Sequence, residues 1–276
     1  VRLPSPCFGK IVKVLSPFAG PAFFLGKGVF KRENESTVSM SVCIVNKVLR
    51  TVSDAKRDFY VHHTRPINSI YRRFVEELIV EMHLLSVNTD FRYDPVYAVG
   101  VVTAFERFMQ GYQPEADKRS IFAALCQATV GNAEQYRQDA EEILAQAKQM
   151  SVQELIDRIA SSPSTDSGHK LVAALAAIAS SENYKYSRLF GIGLYTLLAE
   201  TDAEILKDQE KRDRILKEVT EALHIPPEKL QKDLDLYRSN LDKMEQLLKV
   251  LDEALEAERK KRQQREQNTT PINQNE

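Results

Sequence analysis

Towards its C-terminal end the chain carries Leu230, Leu234, Tyr237, Leu241, Met244, Leu248, Leu251 and Leu255, spaced alternately four and three residues apart. An apolar residue at this spacing over more than three heptads demands a long helix whose seam packs on another helix in a left-handed supercoil. Pro226-Pro227 breaks the chain just upstream and presets a fresh start, and Glu228 suits the positive end of the new helix. Running from Glu228 to Gln264, that helix would be roughly 55 Å long, more than a small domain is wide. Part of it is therefore expected to project. Each fully buried seam leucine contributes on the order of 1.5–3 kcal/mol, so the seam needs a partner surface. Two mates fit: a helix of another protein, or the stretch Asp202 to Leu223 of the same chain, through Ile205, Ile215, Leu216, Val219 and Leu223. Beyond Leu251 the helix passes into Arg259-Lys260-Lys261-Arg262 and Arg265, which suit a solvated helix C-terminus or a contact with anionic lipid or an acidic partner.

Upstream, the chain reads as helix after helix. Ser53 is placed to cap a short helix through about Val61, and Arg65-Pro66 ends it because proline disfavours helix for the residue before it. A helix from Asn68 to Val87 follows, with Ile67, Ile70, Tyr71, Phe74, Leu78, Met82 and Leu85 forming one apolar stripe. Asp94-Pro95 combines a capping carboxylate with a proline at the first helical position, and Gly111 stops the helix so begun. Helices are expected over Pro114–Ala128 and Asn132–Met150, and Ser151-Val152-Gln153-Glu154 opens another as a capping box. Ser161 to Gly168 reads as a loop. Leu171–Ala179 and Tyr186–Leu198 are the next helices, and Gly191-Ile192-Gly193 is suited to close helix packing rather than nucleotide binding. No strand-like alternation of five or more residues occurs after Thr51. The fold class is all-α: a multi-helix core over 48–225, a coiled-coil helix over 226–266 and a disordered tail over 267–276.

The N-terminal 47 residues stand apart. Residues 1–50 hold eight basic residues against two acidic ones, and the apolar run Ile11 to Phe30 is interrupted by Pro17, Gly20, Pro21, Gly26 and Gly28. We read residues 1–47 as an unstructured or non-native extension from a mis-set start, with a targeting segment as the other reading. The whole chain balances 38 basic against 39 acidic residues, which argues against global affinity for nucleic acid. Cys7, Cys43 and Cys126 form no C-x-x-C pair, and Cys126 in its apolar setting reads as a buried small hydrophobe.

A search for chemistry finds little. Glu76, Glu77, Glu81 and His83 lie near one helix face, but helical metal sites use Glu-x-x-His pairs on two helices, and these four residues form none. We read them as a solvated face. His62 and His63 are adjacent and diverge by about 100° on a helix. With no G-x-S-x-G and no phosphate-binding glycine loop, the sequence points to no catalytic, cofactor or metal site.

The order of several short motifs is more telling. Thr51-Val52-Ser53-Asp54-Ala55-Lys56, Arg65-Pro66-Ile67, Glu77-Leu78-Ile79-Val80, Arg92-Tyr93-Asp94-Pro95-Val96, Met109-Gln110-Gly111-Tyr112, Tyr136-Arg137-Gln138-Asp139-Ala140, Tyr186-Ser187-Arg188-Leu189-Phe190 and Asp233-Leu234-Asp235-Leu236-Tyr237-Arg238 follow one another. From about Val48 to Arg265 this resembles the thylakoid formation protein family, the photosystem II 29-kilodalton biogenesis factors, in its cyanobacterial form. The resemblance implies a non-catalytic, mostly helical protein without a cofactor, at the periphery of the thylakoid membrane on its cytoplasmic or stromal side. It implies a role in photosystem II biogenesis and repair, with assembly or repair intermediates and the membrane-bound FtsH-type protease as partners. Arg65, Arg72, Arg73 and Tyr112 are candidate partner contacts on the motif-dense face, and Leu248 marks the coiled-coil seam as a second candidate surface. Helix capping and boundary packing are the structural alternative for the same residues, and a self-associating coiled-coil scaffold is the alternative function.

Overall fold

The computed structural model of the chain describes residues 50–160, 169–202 and 208–268. Among these residues there is no strand. The elements in order are α1 (Val52–His62), α2 (Ser69–Ser86), α3 (Pro95–Phe108), α4 (Glu115–Ala128), α5 (Ala133–Ala147), α6 (Val152–Ala160), α7 (Lys170–Ala179), α8 (Arg188–Thr201), α9 (Gln209–Ala222) and α10 (Pro227–Asn268). The expected loop 161–168, Ile205 and the tail after Asn268 lie outside the described residues, as do residues 1–49.

Most boundaries follow from local chemistry. Asp94 accepts from the Tyr97 amide at 2.7 Å and Pro95 occupies the first turn of α3. Asn132 caps α5 by accepting from the Glu134 and Gln135 amides, and Ser151 caps α6 by accepting from the Glu154 amide at 3.2 Å. Gly111 takes a φ of 77°, the left-handed conformation expected of a helix stop. Three expectations shift. The cap of α1 is Thr51 and not Ser53, because Thr51 and Asp54 exchange a reciprocal pair of bonds that satisfies two amides at once. Ser187 caps the helix expected from Tyr186, which therefore starts at Arg188. The helix expected to reach Met150 ends at Ala147, where the Gln149 and Met150 amides bond three residues back in tightened turns.

At the centre lie α3 and α8, both apolar nearly all round and buried accordingly. They cross in backbone contact. A methyl group at Gly100 would stand 1.7 Å from the Leu189 carbonyl oxygen, and one at Gly193 would stand 2.0 Å from the Val96 carbonyl oxygen. The expected glycine packing is thus real at Gly193, and Gly100 is its counterpart. Gly191 faces elsewhere, towards the Tyr186 hydroxyl and the Leu230 side chain.

The core has two apolar clusters. One joins α1, α2 and α4 with Tyr97, Val101, Phe105 and Phe108 of α3. The other joins α5 to α9 with Val96 and Val99 of α3. α10 enters both, placing Leu230 and Leu234 in the second cluster and Tyr237 in the first, with Leu241, Met244 and Leu248 packed against the first. Of the two mates offered, the stretch Asp202–Leu223 takes the start of the seam: Leu216, Val219 and Leu223 share the second cluster with Leu230 and Leu234. α9 is a 14-residue helix that buries only Leu216, Val219 and Thr220. Farther along, Tyr237 belongs to the first cluster and Leu241, Met244 and Leu248 pack against it, so the later seam leaves α9 behind.

Candidate functional site

A groove of about 580 Å³ opens between α2 and α10, floored by α3 and α8. Ile70, Phe74 and Leu78 form the α2 wall, Met244 and Leu247 the α10 wall, and Phe108 and Ile192 the floor. The α2 wall follows from helical spacing, since residues three and four apart share a face. Phe74 stacks on Phe108 with ring centres 4.1 Å apart, giving the groove an aromatic base.

Its polar groups are mostly paired. Arg188, the first residue of α8, forms an ion pair with Glu81 of α2. Burial pulls the Arg188 guanidinium down, but Glu81 more than offsets it and holds the cation above its usual range. Arg73 bonds Glu77 at 3.2 Å on the rim, and Lys243 stands on the α10 side. Burial pushes the Tyr237 hydroxyl up to about 12, so it stays protonated near neutrality. Below the groove α10 is clamped at its base: the Tyr186 hydroxyl donates to Asp233 at 3.0 Å, and Lys229 lies over the Tyr186 ring.

The candidate contact residues fall in different places. Arg72 and Arg73 are exposed on α2. Arg73 lines the groove, and both line an adjoining polar depression with Lys56, Glu76 and Glu77. Arg65 is exposed but pairs with the buried Asp117 at 2.5 Å, tying the α1–α2 turn to α4. Tyr112 is 2 % exposed, edge-on to Tyr71 with centres 5.0 Å apart. It is a core residue, and the expectation of a surface contact there is corrected. Leu248 is half-buried, its Cδ1 3.9 Å from where a side chain at Gly111 would begin. The large exposed apolar groups of α10 are instead Leu236, Leu247, Val250 and Leu255.

The residues read as a solvated acidic face are also engaged. His83 is buried, with its Nε2 3.0 Å from the Arg50 carbonyl oxygen, Glu76 bonds Lys56 and Tyr60, and Glu81 bonds Arg188. His63 is buried with its Nδ1 3.0 Å from the Ser120 hydroxyl. Cys126 is fully buried, and burial pushes its thiol up to about 12, which makes it an inert core residue as its sequence setting suggested. No group of three or more His, Cys, Asp or Glu among the described residues could hold a metal ion.

Sequence reasoning missed Phe108, Arg188 and Lys243 as groove residues. Arg188 and Glu81 are 107 positions apart, so only the fold brings them together. Leu247 carried a signal, lying beside the seam rather than in it.

Comparison with known proteins agrees with this architecture. Residues 51–266 match the family model described as thylakoid formation protein. The chain is 63 % identical to protein Thf1 of Gloeothece citriformis, over 78 % of this chain and 96 % of that protein. It is 52 % identical to protein Thf1 of Synechocystis, over 81 % and 92 %. A solved structure of Psb29 superposes with a TM-score of 0.67 at 46 % identity, covering 77 % of this chain and 98 % of that one. On the extent and identity of these matches, the chain belongs to the thylakoid formation protein family.

Proposed function

We propose that this chain is a non-catalytic accessory factor for photosystem II biogenesis and repair, acting by binding or stabilising the membrane-bound FtsH-type protease of the thylakoid. The observation that carries this reading is the family match across residues 51–266, which takes in every described helix but for the last two residues of α10. Two features of the structure support it. Both groove carboxylates are paired with arginines, and burial holds the groove tyrosine protonated near neutrality, which suits a binding surface. No described helix is long and apolar enough to cross a membrane, which suits peripheral attachment. In this reading the factor works on the cytoplasmic side, or the stromal side in a plastid, and also meets photosystem II assembly or repair intermediates. It uses no cofactor and no nucleic acid.

The surface offered to the protease in this reading is the α2 face carrying Arg72 and Arg73, beside the groove. Affinity purification from photosynthetic membranes tests it. The tagged chain is expected to retain the FtsH-type protease, and the double variant Arg72→Glu/Arg73→Glu to lose at least tenfold of it. Full retention by the variant removes that face from the reading; no protease with either chain removes the partner.

A second reading, a self-associating scaffold, is favoured by the exposed apolar residues Leu247, Val250 and Leu255 on α10. Sedimentation that finds only monomer at micromolar concentration counts against it.

A further inference from the structure

Past Leu248 the long helix leaves the core. Leu248 is the last seam residue packed against it, and Val250 and Leu255 are 62 % and 44 % exposed. The helix then carries Arg259, Lys260, Lys261, Arg262 and Arg265, all exposed, with no carboxylate among residues 259–265. At about 100° per residue these five side chains leave the axis in five directions, with no gap wider than about 100°. They form a collar rather than a face.

That geometry selects among partners. A binding groove on a protein reads one side of a helix, whereas an ionic layer surrounds it. A coiled-coil partner needs the apolar seam to continue, but the positions that follow Leu251 and Leu255 in the same register are Glu258, Arg262 and Arg265. Parallel self-pairing would set Arg262 against Arg262. The collar also lies roughly 16–26 Å along the helix from Leu248, beyond a Debye length of about 8 Å at physiological salt. Core charges therefore contribute little to what the collar meets; the nearest carboxylates before it on the same helix are those of Glu256 and Glu258.

We propose that this cationic collar is the contact through which the protein attaches to the anionic headgroup layer of a bilayer. This deepens the peripheral-membrane reading above and rests on it. With no apolar residue beyond Ala257 on the described part of α10, the attachment is electrostatic and reversible, with the helix end among the headgroups and none of it in the hydrocarbon.

Vesicle co-sedimentation of the full chain tests the inference. The probes are vesicles of phosphatidylglycerol mixed with phosphatidylcholine, and vesicles of phosphatidylcholine alone. The wild type is expected to bind the anionic vesicles only, and to be released near 1 M salt, where the Debye length is about 3 Å. Soluble inorganic phosphate is expected to leave binding in place, since the collar meets an extended charged layer. The variant Arg259→Gln/Lys260→Gln/Lys261→Gln/Arg262→Gln is expected to keep the wild-type melting temperature. It should lose affinity by about fivefold per cation removed, or more than about 100-fold in all. Three results overturn the inference: no wild-type binding to anionic vesicles, equal binding to neutral ones, or undiminished binding by the variant. Washing of native thylakoid membranes then separates the two readings. A wild type still found on the membranes is held there by protein, so only the collar is lost; a wild type never found there ends the peripheral reading as well.

Discussion

Asp94 holds together two demands that conflict. Its carboxylate caps α3, accepting from the Tyr97 amide and from the Tyr184 hydroxyl at 3.0 Å, yet it is 8 % exposed. Burial dominates over those bonds and pushes its pKa up from 3.8 to about 6. Between those values the folded chain keeps a proton that the unfolded chain has released. The contribution of this carboxyl to stability is therefore fullest below about pH 3.8, falls as pH rises through 6, and levels off above it. The ionised carboxylate costs on the order of 2–3 kcal/mol at pH 8. Asparagine caps as well as aspartate does. Asp94→Asn is thus expected to be more stable than wild type at pH 8 by about 1–3 kcal/mol, with the advantage gone near pH 4. Urea unfolding at the two pH values checks this; an equal loss at both would show that the carboxylate is needed for more than its oxygen. The cap itself was legible, because Asp-Pro is a local signal. Its burial was not, because that depends on Tyr184, 90 positions away.

Between elements, the crossing of α3 and α8 shows what a sequence hides. Gly191 and Gly193 stand side by side and look alike, yet only Gly193 faces the α3 backbone. Gly100, its opposite number, lies in an ordinary helical stretch with no local mark of its role. Substitution separates them. Gly100→Ala and Gly193→Ala bring a methyl group against carbonyl oxygens that cannot move alone, so losses of about 3 kcal/mol or more, or failure to fold, are expected. At Gly191 the nearest atoms are the ends of the Tyr186 and Leu230 side chains, which can shift, and Gly191→Ala should cost distinctly less. Chemical denaturation of the three variants gives the ranking, and a Gly191→Ala as damaging as the other two would contradict it. The heptad seam was similarly half legible. Its period foretold a long packed helix and α9 meets its start, but the later neighbours were set by how the first cluster assembles. Leu234→Ala should cost about 2–5 kcal/mol because Leu234 is 1 % exposed, whereas Leu255→Ala should stay within about 0.5 kcal/mol. Thermal melts of both variants decide it.

For the molecule as a whole, helix content and order were readable from caps, breakers and apolar spacing, each a short-range effect. The groove was not, because its walls come from helices far apart in the chain and its floor exists only once α3 and α8 have crossed. α10 belongs to both apolar clusters, as α3, α5 and α8 do, through Leu230 and Leu234 on one side and Tyr237 on the other. A force drawing on its C-terminal end meets no resistance from the core until Leu248. From there it loads the seam side chains singly, as a strip of tape lifts from one edge, since the helix lies along the surface with its free end outward. Pulling experiments between residues 52 and 268 should record α10 peeling first and at low force. Release of Tyr237, Leu234 and Leu230 then uncovers both clusters together, and the remaining helices should give way in one step. The strap that closes this molecule is also its seam of least mechanical strength, and it opens from the end that carries the cations.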